Sequence, residues 1–138
     1  MIKARIMLLL LASTLMSFPA SAQVSMEPRT QGSITYISGG IGLDDMEMLR
    51  ELRPSYNMHL LFASQGSGQY LAEVNVKILD QKGQTLLEAI ADGPYFYAKV
   101  SPGKYRIVAE SEGIALSKIV EVSGKGPISE SFYWPAAK

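Results

Sequence analysis

His59 is the only histidine in the 138 residues, and cysteine is absent. Without a thiol the chain has no thiolate nucleophile, no thiolate metal site and no redox pair. A zinc site normally gathers three or four nitrogen, sulfur or carboxylate ligands, and one imidazole is a poor start. A Ser-His-Asp arrangement needs a hydroxyl nucleophile and an orienting acid beside the imidazole. Ser64 and Ser67 can be nominated, but neither sits in a nucleophile-elbow pattern. Asp44 and Asp45 stand side by side, as an acid/base dyad or a pair of calcium ligands would. No second carboxylate group follows at calcium-loop spacing. Gly39-Gly40-Ile41-Gly42 continues into Leu43-Asp44-Asp45, whereas a phosphate loop continues into Lys-Ser/Thr. Two carboxylates there would repel a phosphate, so these glycines are expected to make a tight turn at positive φ. No catalytic group, metal or cofactor is expected. His59 is kept as a candidate because imidazole titrates near neutral pH.

Aromatic residues are the better candidates. Tyr95, Phe96 and Tyr97 are consecutive, and neighbours on a strand face opposite sides. With Phe96 inward, Tyr95 and Tyr97 share the outer face, where they would stack on a sugar or contact a protein. Tyr133 likewise opposes Phe132 and Trp134. Tyr95, Tyr97, Tyr133, Trp134 and His59 therefore form the candidate binding surface; ordinary cross-strand pairing on a solvated sheet is the plainer account of the same tyrosines.

The elements that must position these residues are mostly strands. Apolar runs in residues 70–110 are separated by Asp80-Gln81-Lys82-Gly83, Asp92-Gly93-Pro94 and Ser101-Pro102-Gly103-Lys104, which is turn chemistry between consecutive antiparallel strands. Alternation places Tyr56, Met58, Leu60 and Phe62 on one face, with His59 on the other. A hairpin turn at residues 65–68 leads to Ala72, Val74, Val76 and Ile78 on the inward face. Leu86, Leu87 and Ile90 share no face, which points to a bulge or a shift between sheets. Further alternating sets are Phe96, Ala98 and Val100; Tyr105, Ile107 and Ala109; Leu116, Val120 and Val122; and Ile128, Phe132 and Trp134. Residues 33–38 supply a first strand. Residues 44–53 read as a helix, with Asp44 at the N-cap, Glu47 completing a capping box, and Leu43 against Met48 as a hydrophobic staple. The fold class is mainly β: a two-sheet antiparallel sandwich of seven to eight strands with one short helix.

Residues 74–110 resemble carboxypeptidase regulatory-like, or transthyretin-like, domains, through VNVKILDQKGQTL, DGPYFYAKV and SPGKYRIVAE in that order. The resemblance implies a seven- or eight-stranded sandwich of the prealbumin type with no catalysis of its own. It carries over no functional residues.

The N-terminus reads as an address. Lys3 and Arg5 precede an apolar run at residues 6–16, and Ala20-Ser21-Ala22 is acceptable to a signal peptidase. The run is short for the ~30 Å of a bilayer core. Cleavage before Gln23 is expected, then a polar flexible arm at residues 23–32 and one domain at residues 33–138. Residues 23–138 carry 11 basic and 13 acidic side chains, without the clustered Lys and Arg that nucleic acid requires. The expectation is a periplasmic or secreted module with no nucleic-acid partner and no stable membrane insertion. Its partner would be another envelope or secreted protein, met at a sheet edge or on the tyrosine face, with a glycan as the alternative.

Overall fold

A computed structural model of the chain describes Met16 and residues 26–136. The expected leader, apart from Met16, lies outside the described residues. The elements are β1 (Arg29–Gln31), β2 (Ile34–Gly39), α1 (Leu43–Leu52), a 3-10 turn (Arg53–Ser55), β3 (Met58–Ser64), β4 (Asn75–Leu79), β5 (Thr85–Ile90), β6 (Tyr95–Lys99), β7 (Gly103–Ser111), β8 (Ile114–Val122) and β9 (Ile128–Trp134). They form a five-stranded sheet ordered β1-β2-β6-β3-β9 and a four-stranded sheet ordered β5-β4-β7-β8. No helix among the described residues is long and apolar enough to cross a membrane.

Alternation sets the core. Met58, Leu60, Phe62, Phe96, Ala98 and Phe132 from the larger sheet meet Val76, Ile78, Leu87, Ile107 and Ala109 from the smaller one in a single buried cluster. Burying each phenylalanine contributes about 1.5–3 kcal/mol. Turn chemistry ties the strands. Asp80 Oδ1 accepts from the backbone N–H groups of Lys82 (2.9 Å) and Gln84 (3.0 Å), so the short aspartate side chain closes the β4–β5 turn. The β4–β5 register shifts between Ile78 and Leu79, the irregularity that the Leu86–Leu87 pattern foretells.

A third layer covers the outer face of the larger sheet. Leu49 of α1 packs with Met26, Ile37, Tyr56 and Tyr97, and Met46, Leu52 and Tyr95 close the margins. The helix is capped two residues earlier than its acids suggest. Gly42, at φ 91°, is the N-cap, and no side chain caps it. Asp44 is not the cap; instead Asp45 Oδ2 turns back to accept from Gly40 N (3.1 Å) and Ile41 N (3.3 Å). Leu43 is 83% exposed and Met48 39%, so they make no staple.

Three expectations about connectivity are corrected. Residues 65–68 do not join a hairpin within one sheet: β3 and β4 belong to different sheets. The turn itself is hairpin-like but short: Ala63 bridges Tyr70, and the Ser64 and Leu71 amides donate to Gln69 O and Phe62 O, before Glu73, at φ 60°, redirects the chain so that Ala72 stays exposed. β9 runs parallel to β3 rather than antiparallel to a neighbour. Part of the expected arm is ordered, since β1 pairs with β2 and Met26 is buried. These pieces bring the described strands to nine.

The flanks between the sheets are laced by side chains. Gln31 Oε1 accepts from Glu88 N (2.7 Å) while its Nε2 donates to Glu88 O (3.1 Å), joining β1 to the edge strand β5. On the other flank Trp134 Nε1 donates to Ile114 O (2.9 Å) and Lys118 Nζ to Ser131 O (2.7 Å). Each bond occupies backbone that an incoming strand would need.

Two stability predictions follow from this packing. Val76→Ala opens a cavity at a fully buried position, and urea unfolding should register a loss of about 1–3 kcal/mol. At Gly93 an added Cβ would lie 2.3 Å from the Gly39 carbonyl oxygen and 2.8 Å from its Cα. Backbone cannot step aside, so Gly93→Ala should cost about 1–3 kcal/mol by overpacking. Gly126→Ala, whose added carbon meets nothing within 4 Å, should stay within about 0.5 kcal/mol of the parent.

Candidate functional site

The residues singled out from the sequence lie mostly on the outer face of the larger sheet, and α1 hides much of it. Tyr97 is 3% exposed and His59 4%, so neither belongs to an open platform. Trp134 is buried in the core with its indole N–H spent on Ile114. Tyr133 is exposed, on the edge strand β9. Tyr95 is half-buried at one end of β6. The structure therefore does not gather these five residues into one surface. The covering helix is the reason: a strand's outer side chains are exposed only where no further layer packs on them.

His59 sits where β3, β6 and the 3-10 turn converge. Its Nε2 lies 3.0 Å from Arg53 O and 2.9 Å from Tyr56 O. Two carbonyl acceptors require a donor, so a proton belongs on Nε2; burial favours the neutral form of the ring. Nδ1 is buried and has no hydrogen-bond partner. Tyr97 packs against the ring at 4.6 Å between centroids. Among the described residues no carboxylate or hydroxyl is hydrogen-bonded to the imidazole. Burial holds its pKa below the ordinary histidine value, and the Arg53 charge pushes the same way against the opposing effect of the two carbonyls. Among the described residues no three His, Cys, Asp or Glu side chains gather at metal-binding distance.

The two ends of β6 are the open places. At the Lys99 end, a groove of about 650 Å³ is bounded by the 3-10 turn, Lys99 and the loop before β9, with His59 in its wall. Asn57 braces it: its Nδ2 donates to Val100 O (2.7 Å) and its Oδ1 accepts from Val100 N (2.9 Å). Arg53 lies with its guanidinium 6.0 Å from the centre of the Tyr97 ring.

At the Tyr95 end, Tyr70 and Tyr95 meet edge to face with centroids 5.9 Å apart. Burial, then the Tyr70 hydroxyl, pushes the Tyr95 phenol up to about 12. Gly40 lies against Tyr95, since an added Cβ would be 2.5 Å from its ring. The next residue, Ile41, is 66% exposed, Leu43 83% and Tyr70 56%. Sequence reasoning missed Ile41, Leu43, Tyr70, Arg53 and Lys99. An isoleucine between turn-forming glycines was a usable sign of exposure, whereas nothing local marked Arg53 and Lys99, which are brought together by the β3–β6 pairing.

The neutral His59 predicts a pH dependence. Unfolding frees the imidazole to bind a proton more readily, so the unfolded state gains protons first as pH falls. Stability is full above about pH 6.5 and declines as pH drops through the lowered folded pKa. His59→Gln, which keeps a donor but cannot titrate, should flatten urea midpoints between about pH 7 and 5. An unchanged slope would assign the dependence to carboxylates.

No family model matches the chain, and no curated protein sequence matches it.

Proposed function

We propose that the chain is an exported, non-catalytic β-sandwich module of the transthyretin-like type that binds another envelope or secreted protein. The observation that carries this is a set of exposed apolar side chains toward the Tyr95 end of β6: Tyr70, which meets the half-buried Tyr95, and Ile41 and Leu43, which follow the Gly40 that lies against the Tyr95 ring. Contiguous exposed apolar side chains on a small domain mark an interaction surface. Export is supported by Lys3, Arg5, the apolar run and Ala20-Ser21-Ala22. The domain type is supported by the turn sequences of residues 74–110 and by two sheets sharing one core. A non-catalytic role is supported by the hydrogen bonds of His59, which among the described residues go to main-chain carbonyls.

The corner's chemistry describes its partner. Asp44 and Glu47 stand exposed beside Leu43, so a protein with an apolar centre and a Lys/Arg rim is complementary. Addition of a strand is the weaker route, because Gln31, Trp134 and Lys118 already occupy parts of three edge strands. Burial of Tyr97 and Trp134 also removes the broad aromatic platform that a glycan would use.

A photocrosslinking residue at position 41 should yield a discrete adduct in intact cells. One at position 119, an exposed isoleucine on β8, should not. With the adduct identified and its partner purified, Leu43→Asp and Tyr70→Ser should each weaken binding at least ~10-fold, the order expected for an interface anchor. Equal adducts from both positions, or unchanged affinity in both variants, would overturn the assignment.

A further inference from the structure

We propose that the groove at the Lys99 end of β6 is a second, independent site, which binds a small organic anion that joins a carboxylate to an apolar body.

Charge is the first argument. Arg53 and Lys99 both line this groove, and among the described residues no aspartate or glutamate does. Neither cation forms an ion pair among the described residues, where Arg29, Lys77 and Lys118 are each paired with an acid. The sequence as a whole is neutral, so this is a local imbalance and not a property of a basic protein. Two cations lining one concavity without an acid favour an anion, and a carboxylate matches the planar fork of a guanidinium.

Preorganisation is the second. Arg53 is held at its main chain and at its head. Its carbonyl accepts from His59 Nε2 and from Tyr56 N. Its guanidinium lies by the Tyr97 ring and donates weakly to Ser129 Oγ at 3.4 Å. A cation fixed in this way loses less freedom when a ligand arrives. Lys99 ends β6, one residue before Val100, whose amide and carbonyl are clamped by Asn57.

Shape and polarity are the third. The volume, about 650 Å³, falls in the range of small-molecule sites. Pro54, Tyr56 and Pro127 contribute to its walls, giving a rigid apolar lining beside the charged groups. His59 is neutral here and supplies no charge of its own, so the attraction rests on Arg53 and Lys99. A bare inorganic ion would leave the proline and tyrosine surfaces unused; an aryl or short alkyl carboxylate covers both.

Benzoate is the test probe, with benzamide as its uncharged counterpart of the same shape. Titrated into the ¹⁵N-labelled full chain, benzoate should move the amide resonances of Asn57, Lys99, Gly124 and Gly126 in a saturable way at millimolar concentration or below. Benzamide should bind at least ~10-fold more weakly, the loss expected for a charge-assisted hydrogen bond. Lys99→Gln alters an exposed side chain and leaves the fold in place; it should weaken benzoate by about the same factor, and Lys99→Arg should restore it. The proposal is overturned if benzoate and benzamide bind alike, if Lys99→Gln leaves the benzoate affinity unchanged, or if no saturable shift appears around the groove. Variants at Leu43 or Tyr70 should leave benzoate binding unchanged, so failure here and failure of the protein-binding corner are told apart.

Discussion

The structure depends on a strand that is buried on both faces. β6 lies in the middle of the larger sheet. Phe96 and Ala98 point into the core between the sheets, and Tyr97 points the opposite way yet is no less hidden. Its ring needs a cover, and so do Ile37 and His59 on the neighbouring strands. α1 and the 3-10 turn provide it, with Leu49 at the centre. Two layers of strands would have left that face to water. The third layer makes it interior and leaves the ends of the strand, Tyr95 and Lys99, less covered than its middle.

Faces were legible in the sequence, while neighbours were not. Period-two alternation correctly puts Met58, Leu60 and Phe62, then Val74, Val76 and Ile78, then Tyr105, Ile107 and Ala109, on the inward side, because the pleat alone decides which way a side chain points. It carries no information on which strand lies alongside. The β3-to-β4 passage between sheets and the parallel pairing of β3 with β9 are long-range choices with no local signature. Burial of Tyr97 was partly encoded. YFYAKV carries no charged side chain until Lys99, and a nearly unbroken run of aromatic and apolar residues fits a strand covered on both sides better than a half-solvated one. The candidate site was less legible still. The tyrosines were found by type, but their exposure was fixed by a helix whose docking face lies outside their own segment. Asp44 and Asp45 show the same limit on a smaller scale. Either carboxylate could cap a helix, and only the backbone at Gly42 decides that Asp45 serves the Gly40 and Ile41 amides.

Two carboxamides act as surrogate peptide groups. Gln31 presents a carbonyl and an N–H pair to Glu88, and Asn57 does the same to Val100. A primary amide has the donor and acceptor of a backbone unit at a similar spacing, so it can complete a ladder where the chain itself does not reach. Gln31 does this on an edge strand, and Asn57 does it just beyond the paired ends of β3 and β6. Glutamate or aspartate would offer acceptors alone and would leave the carbonyl of Glu88 or Val100 without a donor. The amide, as opposed to mere polarity, is what these positions require.

The parallel contact of β3 with β9 also imposes an order of events. A chain delivered from its N-terminus, whether from a ribosome or through a secretion channel, presents β3 long before β9, with all of β4 to β8 in between. Over that interval one flank of β3 has no mate, and Phe62 lacks the Phe132 and Trp134 rings that later lie about it. The late arrival of one segment thus leaves that flank of β3 open until the last strand closes it.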